Sequence, residues 1–139
     1  MDIIIKRTTT NPLYTEGEIS LSGRQIANTV EHTQTMLPAG RYKVYIRKKA
    51  KNNVIRVWGT KWDIGIAHSW IDARKKHFIA IGQPLIPGAV YKSADIYEAL
   101  LKRAKRCYSR KVPITLIIDD SQCQETKPAK HWITVNGEC

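Results

Sequence analysis

A chain of 139 residues has the length of one domain and can bury roughly two-thirds of the surface its unfolded form exposes, so a core is possible without disulfide or metal staples. Its 42% hydrophobic and 25% charged residues are those of an ordinary globular domain. No run approaches the ~20 apolar residues of a membrane helix, and the apolar stretch before Lys6-Arg7 is too short for a signal-peptide core. The expected compartment is therefore the cytoplasm, although a leaderless export route would leave no trace in the sequence.

The elements read as follows in chain order. Asp2 to Thr9, rich in isoleucine and threonine, predicts a first strand, and Asn11-Pro12 a turn. Glu18–Leu21 and Gln25–Glu31 alternate polar and apolar residues around Ser22-Gly23, the pattern of a β-hairpin. Leu37-Pro38-Ala39-Gly40 is a second turn. Arg41 to Arg47 gives the clearest strand: Tyr42, Val44 and Ile46 face the core, while Arg41, Lys43, Tyr45 and Arg47 face outward. Val54–Trp58 alternates again and is expected to pair with it. Gly59 to His77 is irregular by pattern, and Phe78–Ile81 reads as a short buried strand. The prolines and glycines from Gly82 to Gly88 argue against any regular element there.

One principal helix is expected near residues 93–108. Ser93 is a suitable N-cap, and Asp95 and Glu98 suit the positive end of the helix dipole. Ile96, Tyr97, Leu100, Leu101 and Ala104 form an apolar stripe, and basic residues fill the last turns. Val112–Ile118 is the last strand before Asp119-Asp120. The sum is an α+β domain, a mainly antiparallel β-sheet or barrel-like body with one helix, over residues 1–120. Residues 121–139 are expected to form a loosely packed tail, in which Trp132–Val135 could dock as an edge strand.

Charge gives the first functional lead. The net charge is +11. Seven basic residues and no acidic one lie between Arg41 and Arg56, and Lys102, Arg103, Lys105, Arg106, Arg110 and Lys111 form a second cluster. Arg74-Lys75-Lys76 is a third. Such a field attracts polyanions, either a peptidoglycan-associated polymer or nucleic acid. It serves equally as a solvated face that keeps a protein dispersed, and a protein partner stays open.

The binding candidates are Trp62 and Trp70, flanked by Lys61, Arg74 and Lys75, with the charged face of Arg41, Lys43 and Arg47 beside them. The tryptophans can stack bases or sugars, or they can anchor a long loop to the core. His68 and His77 flank the loop 69–76 and are open to a ligand or acid–base role, with Asp63 and Asp72 near. Their spacing of nine is unlike that of zinc ligands, so no metal and no cofactor is assigned. Cys107, Cys123 and Cys139 are an odd set without a CxxC, which argues against a disulfide framework and for reduced thiols.

Several blocks recur in a recognisable order: Glu16-Gly17-Glu18-Ile19, Thr29-Val30-Glu31, Leu37-Pro38-Ala39-Gly40-Arg41-Tyr42-Lys43-Val44, the helix from Ile96 to Cys107, and Ile114–Ile118. In this order, over residues 2–120, the chain resembles an uncharacterised domain family of bacteria and their phages. Many members of that family carry H-x-G-N and E-G-C-I motifs, which look like the His and Cys pair of L,D-transpeptidases. The resemblance would imply a thiolate activated by an imidazole. Here the cysteine position falls on Phe78 and the glycine on His77, and the H-x-G-N stretch falls near Gly65-Ile66-Ala67-His68. No cysteine lies between Met1 and Arg106, so the catalytic pair is not carried over. The resulting expectation is a non-catalytic binding or accessory module, associated with the cell wall or with a phage or mobile element. The alternatives are a basic nucleic-acid-binding protein and an enzyme with an altered site at His68 and His77.

Overall fold

The computed structural model describes residues 1–49, 52–65, 70–72, 76–91 and 93–135. Among them run β1 (Asp2–Thr10), β2 (Tyr14–Leu21), β3 (Arg24–His32), β4 (Gly40–Lys49), β5 (Asn52–Val57), β6 (Asp63–Gly65), β7 (Trp70–Asp72), β8 (Phe78–Ile86) and β9 (Ala89–Tyr91). The helix α1 (Ser93–Ser109), β10 (Ile114–Asp119), β11 (Gln124–Glu125) and α2 (Lys130–Val135) complete the order. Strand makes up 54% of the described residues. Strands β3, β2, β1, β10, β4, β5, β6 and β8 hydrogen-bond in that sequence, and β8 pairs back onto β3 to close an eight-stranded barrel. Closure leaves the ring without an open edge. The pairings are antiparallel except β1 with β10, β1 with β11 and β6 with β8. The architecture is thus a β-rich barrel with one main helix.

The expected hairpin is β2–β3. Ser22 and Gly23 have φ of 51° and 77°, the positive values at both central residues that a two-residue turn needs to match strand twist. Alternation then sorts the side chains. Ile3, Ile5, Ile19, Ile55, Ile79 and Leu116 point into the barrel and are fully buried. The helix closes the barrel end that holds Leu21 and Ile114, burying Tyr97, Leu100, Leu101 and Ala104. Each such aliphatic side chain contributes about 1.5–3 kcal/mol. The Ile55 amide donates to the Tyr97 hydroxyl at 3.2 Å, which ties the helix to β5, and burial raises the Tyr97 pKa.

Towards the other end of the barrel lies a buried ion pair. Arg7 donates to both carboxylate oxygens of Glu31, from Nε at 3.1 Å and Nη2 at 2.9 Å, and Nη2 also donates to the Leu37 carbonyl at 2.6 Å. Both side chains are 1% exposed. One guanidinium therefore ties β1, β3 and the turn before β4. Beside it, Gly17 sits so close to β1 that a Cβ would lie 2.7 Å from the Lys6 carbonyl oxygen. The blocks Glu16-Gly17, Thr29–Glu31 and Leu37-Pro38 thus have structural work in this barrel.

Two expectations are corrected. The strand β8 does not stop at Ile81 but runs to Ile86. Beyond the barrel it pairs with β9, where a register shift between Pro84 and Ile86 accommodates the proline. Gly82 is needed there, since a Cβ would lie 2.6 Å from the Tyr91 carbonyl oxygen. Residues 130–135 form the helix α2 instead of an edge strand. Its Trp132, 4% exposed, packs outside the barrel wall with Tyr14, Val30, Ala80 and Val90 as a second apolar cluster. Trp132 Nε1 donates to the Pro87 carbonyl at 2.9 Å, and the Ala129 amide donates to the Tyr14 hydroxyl at 2.9 Å. Glu16 accepts the Gly88 amide at 3.2 Å, so the β8–β9 turn is held from both sides. Among the described residues no helix is long and apolar enough to cross a membrane.

Candidate functional site

Arg41, Lys43 and Arg47 are exposed on the outer face of β4, as the alternation predicts. Of these, Lys43 borders a groove of about 800 Å³. The groove is bounded by Lys43 and Tyr45 of β4, by Trp58 just past β5, and by Tyr108, Lys111, Val112 and Pro113 around the end of α1. No acidic residue is among the described residues that line it.

Backbone contacts position each wall. The Trp58 amide donates to the Lys43 carbonyl at 2.8 Å, which extends the β4–β5 ladder beyond the Val44–Val57 pair and holds Trp58 next to Lys43. Its side chain is 66% exposed, and Tyr108 is 52% exposed. On the opposite wall, α1 ends with Val112 N–H donating to the Cys107 carbonyl at 2.9 Å and Lys111 N–H to the Tyr108 carbonyl at 3.1 Å. These are the two hydrogen bonds of a Schellman motif, which places Lys111 at the position usually held by glycine. Lys111 accordingly has φ of 56°, a left-handed conformation that costs a side-chain-bearing residue about 1–2 kcal/mol. A cation is thus held on the groove rim in a conformation that glycine would adopt more easily.

That geometry gives a test with two readouts of opposite sign. Lys111→Gly is expected to raise stability by about 0.5–1 kcal/mol, since relief of strain exceeds the extra freedom glycine gives the unfolded chain. The same change removes a cation from the groove, so any affinity of the groove for a polyanion is expected to fall. Thermal melts and a binding titration on one preparation check both.

The other sequence candidates are placed differently. Trp62 is 3% exposed and belongs to the barrel core, so it offers no open face to a base or sugar. This corrects the stacking role for that residue: Ile64, two residues further along, points into the same core. His77 is exposed and meets the Trp62 ring edge-on at 5.9 Å. His68, Arg74 and Lys75 lie outside the described residues. For Trp70 the backbone is described, pairing with Tyr91 across β7 and β9. Asp63 is within 3.0 Å of Arg56 as an ion pair. The structure places His32, Lys76 and His77 close enough to influence one another, and the His32 pKa is lowered, first by burial and then by Lys76. Among the described residues no cluster of three His, Cys, Asp or Glu could hold a metal, and neither a thiol nor a carboxylate hydrogen-bonds His77. Cys107 is half-buried against the barrel core. Burial raises the Cys123 pKa, which keeps that thiol protonated.

Sequence reasoning missed Trp58, Tyr108 and the groove they share. One signal was present: Val54, Arg56 and Trp58 fall on the same parity, opposite the buried Ile55 and Val57. Tyr108 continues the apolar stripe of α1 but lies beyond the part of the helix that the barrel covers. No protein-family model matches this chain, and neither a curated protein nor a solved structure matches it.

Proposed function

We propose that this protein is a binding module, without catalytic chemistry of its own, that captures an anionic polymer in the groove between Trp58 and Tyr108. The observation that carries this reading is the pairing of two rings, each more than half exposed, with two lysines and no carboxylate. Exposed Arg41 and Arg47 on β4, Lys105 and Arg106 on α1, and Arg110 just past it extend the positive field beyond the groove. An accessory role beside the cell wall, or in a phage or mobile element, accords with the block order that resembles the transpeptidase-like family and with the missing thiol–imidazole pair.

The test is polyphosphate binding as a function of salt. Affinity is expected to fall steeply as salt rises, with a logarithmic slope of roughly 0.7 per phosphate contact. The double variant Lys43→Glu, Lys111→Glu is expected to lose at least tenfold in affinity at low salt and to show a shallower slope. Unchanged binding in that variant, with the fold intact by circular dichroism, overturns the assignment of the groove.

A further inference from the structure

The aromatic lining narrows the class of polymer. A duplex presents phosphates outward and keeps base faces in its own stack, so a protein that reads only its backbone needs cations and no open rings. Here two large rings are exposed at the surface, and Val112 and Pro113 add an apolar flank to the groove they line. A hydroxyl-rich glycan also stacks on such rings, but each of its hydroxyls donates as well as accepts and is best held where side-chain acceptors are at hand. Among the described lining residues there is no Asp, Glu, Asn or Gln, and the phenol oxygens of Tyr45 and Tyr108 are the side-chain acceptors on offer. What the groove supplies is π-faces bordered by point cations, the combination that holds unpaired bases and their phosphates.

We infer that the ligand is single-stranded nucleic acid, with bases stacked on Trp58 and Tyr108 and phosphates set against Lys43 and Lys111. This rests on the anionic-polymer reading and goes one step past it. Stacking on each ring carries no sequence code, because every base has a π-face, so binding is expected to tolerate changes of base while depending on a base being present.

The test turns on two strands of equal charge, set beside two further polyanions. A labelled oligothymidylate of about a dozen nucleotides, an abasic strand of the same length, a duplex and polyphosphate are titrated against the full chain by fluorescence anisotropy. The oligothymidylate is expected to bind at least about fivefold more tightly than the abasic strand. That advantage is expected to vanish in the double variant Trp58→Ala, Tyr108→Ala and to return in part in Trp58→Phe. Both side chains are exposed, so the variants are expected to melt with the original protein. Equal binding of oligothymidylate and abasic strand, tighter binding of the duplex, or a base-dependent advantage that survives the double variant would each overturn the inference while the anionic-polymer reading stands. Failure to bind any of the probes at low salt overturns both.

Discussion

Replacing Glu31 with alanine is expected to cost about 3–5 kcal/mol, the largest single effect in the barrel. The reason is asymmetric. In the folded protein the Arg7 guanidinium is buried and has two kinds of acceptor, the Glu31 carboxylate and the Leu37 carbonyl. Without Glu31 the charge stays inside the ring with one carbonyl for a partner. A domain of this size is stable by about 5–15 kcal/mol, so the variant is expected to be partly unfolded or to melt far below the original. Arg7→Met combined with Glu31→Leu removes both charges and keeps apolar volume, and it is expected to retain most of the stability that Glu31→Ala loses. Urea denaturation of the two variants beside the original protein decides the matter. If Glu31→Ala costs less than about 1 kcal/mol, the pair is not isolated from water as its burial implies.

The second large effect is expected at Trp132. Trp132→Ala empties the centre of the outer cluster and should cost about 3–5 kcal/mol, which is more than a loose tail would show. Gly88 reports on the same contact from the other side. A Cβ at Gly88 would fall 2.2 Å from Trp132 Nε1, and Gly88 has φ of 83°, so Gly88→Ala both displaces the indole and strains the turn. In a Trp132→Ala background the displacement has already happened and the strain, about 1–2 kcal/mol, is what remains. A double-mutant cycle is therefore expected to show strong coupling between the two positions. Additive losses would mean that the indole does not rest on the turn.

The parts of this fold that were legible in the sequence are those set by local periodicity. The strands β1 to β5, the Ser22-Gly23 turn, the helix α1 and the outward basic face of β4 all follow from alternation, helical spacing and turn chemistry. Ring closure does not. It depends on β6, a strand of 3 residues that meets β5 at Arg56 and Asp63 alone, and on Asn28–Val30 meeting β8, and neither leaves a local pattern. Pro84 hid the length of β8 because a proline is tolerated where the strand has left the barrel. The groove was illegible for a similar reason. Its walls come from β4, the residue after β5 and the end of α1, and long-range pairing alone brings them together. The tryptophans at 62 and 70 drew notice through nearby charge in sequence, while the exposed ring at 58 owes its place to strand parity.

The position of β1 has a consequence for how the protein is made. This strand lies between β2, which follows it at once, and β10, which spans Ile114–Asp119. During synthesis β1, β2 and β3 can assemble early, but the flank of β1 that awaits β10 stays bare until residue 119 has left the ribosome. The nascent chain therefore carries an apolar, unpaired strand margin for most of its translation, a state prone to wrong associations between neighbouring chains. The exposed Lys6 on that strand places a charge on the waiting margin, and the positive character of the whole chain keeps neighbouring nascent copies apart. The same surplus of lysine and arginine that we propose attracts a polyanion to the finished barrel thus has an earlier task, guarding the open ring before its last stave arrives.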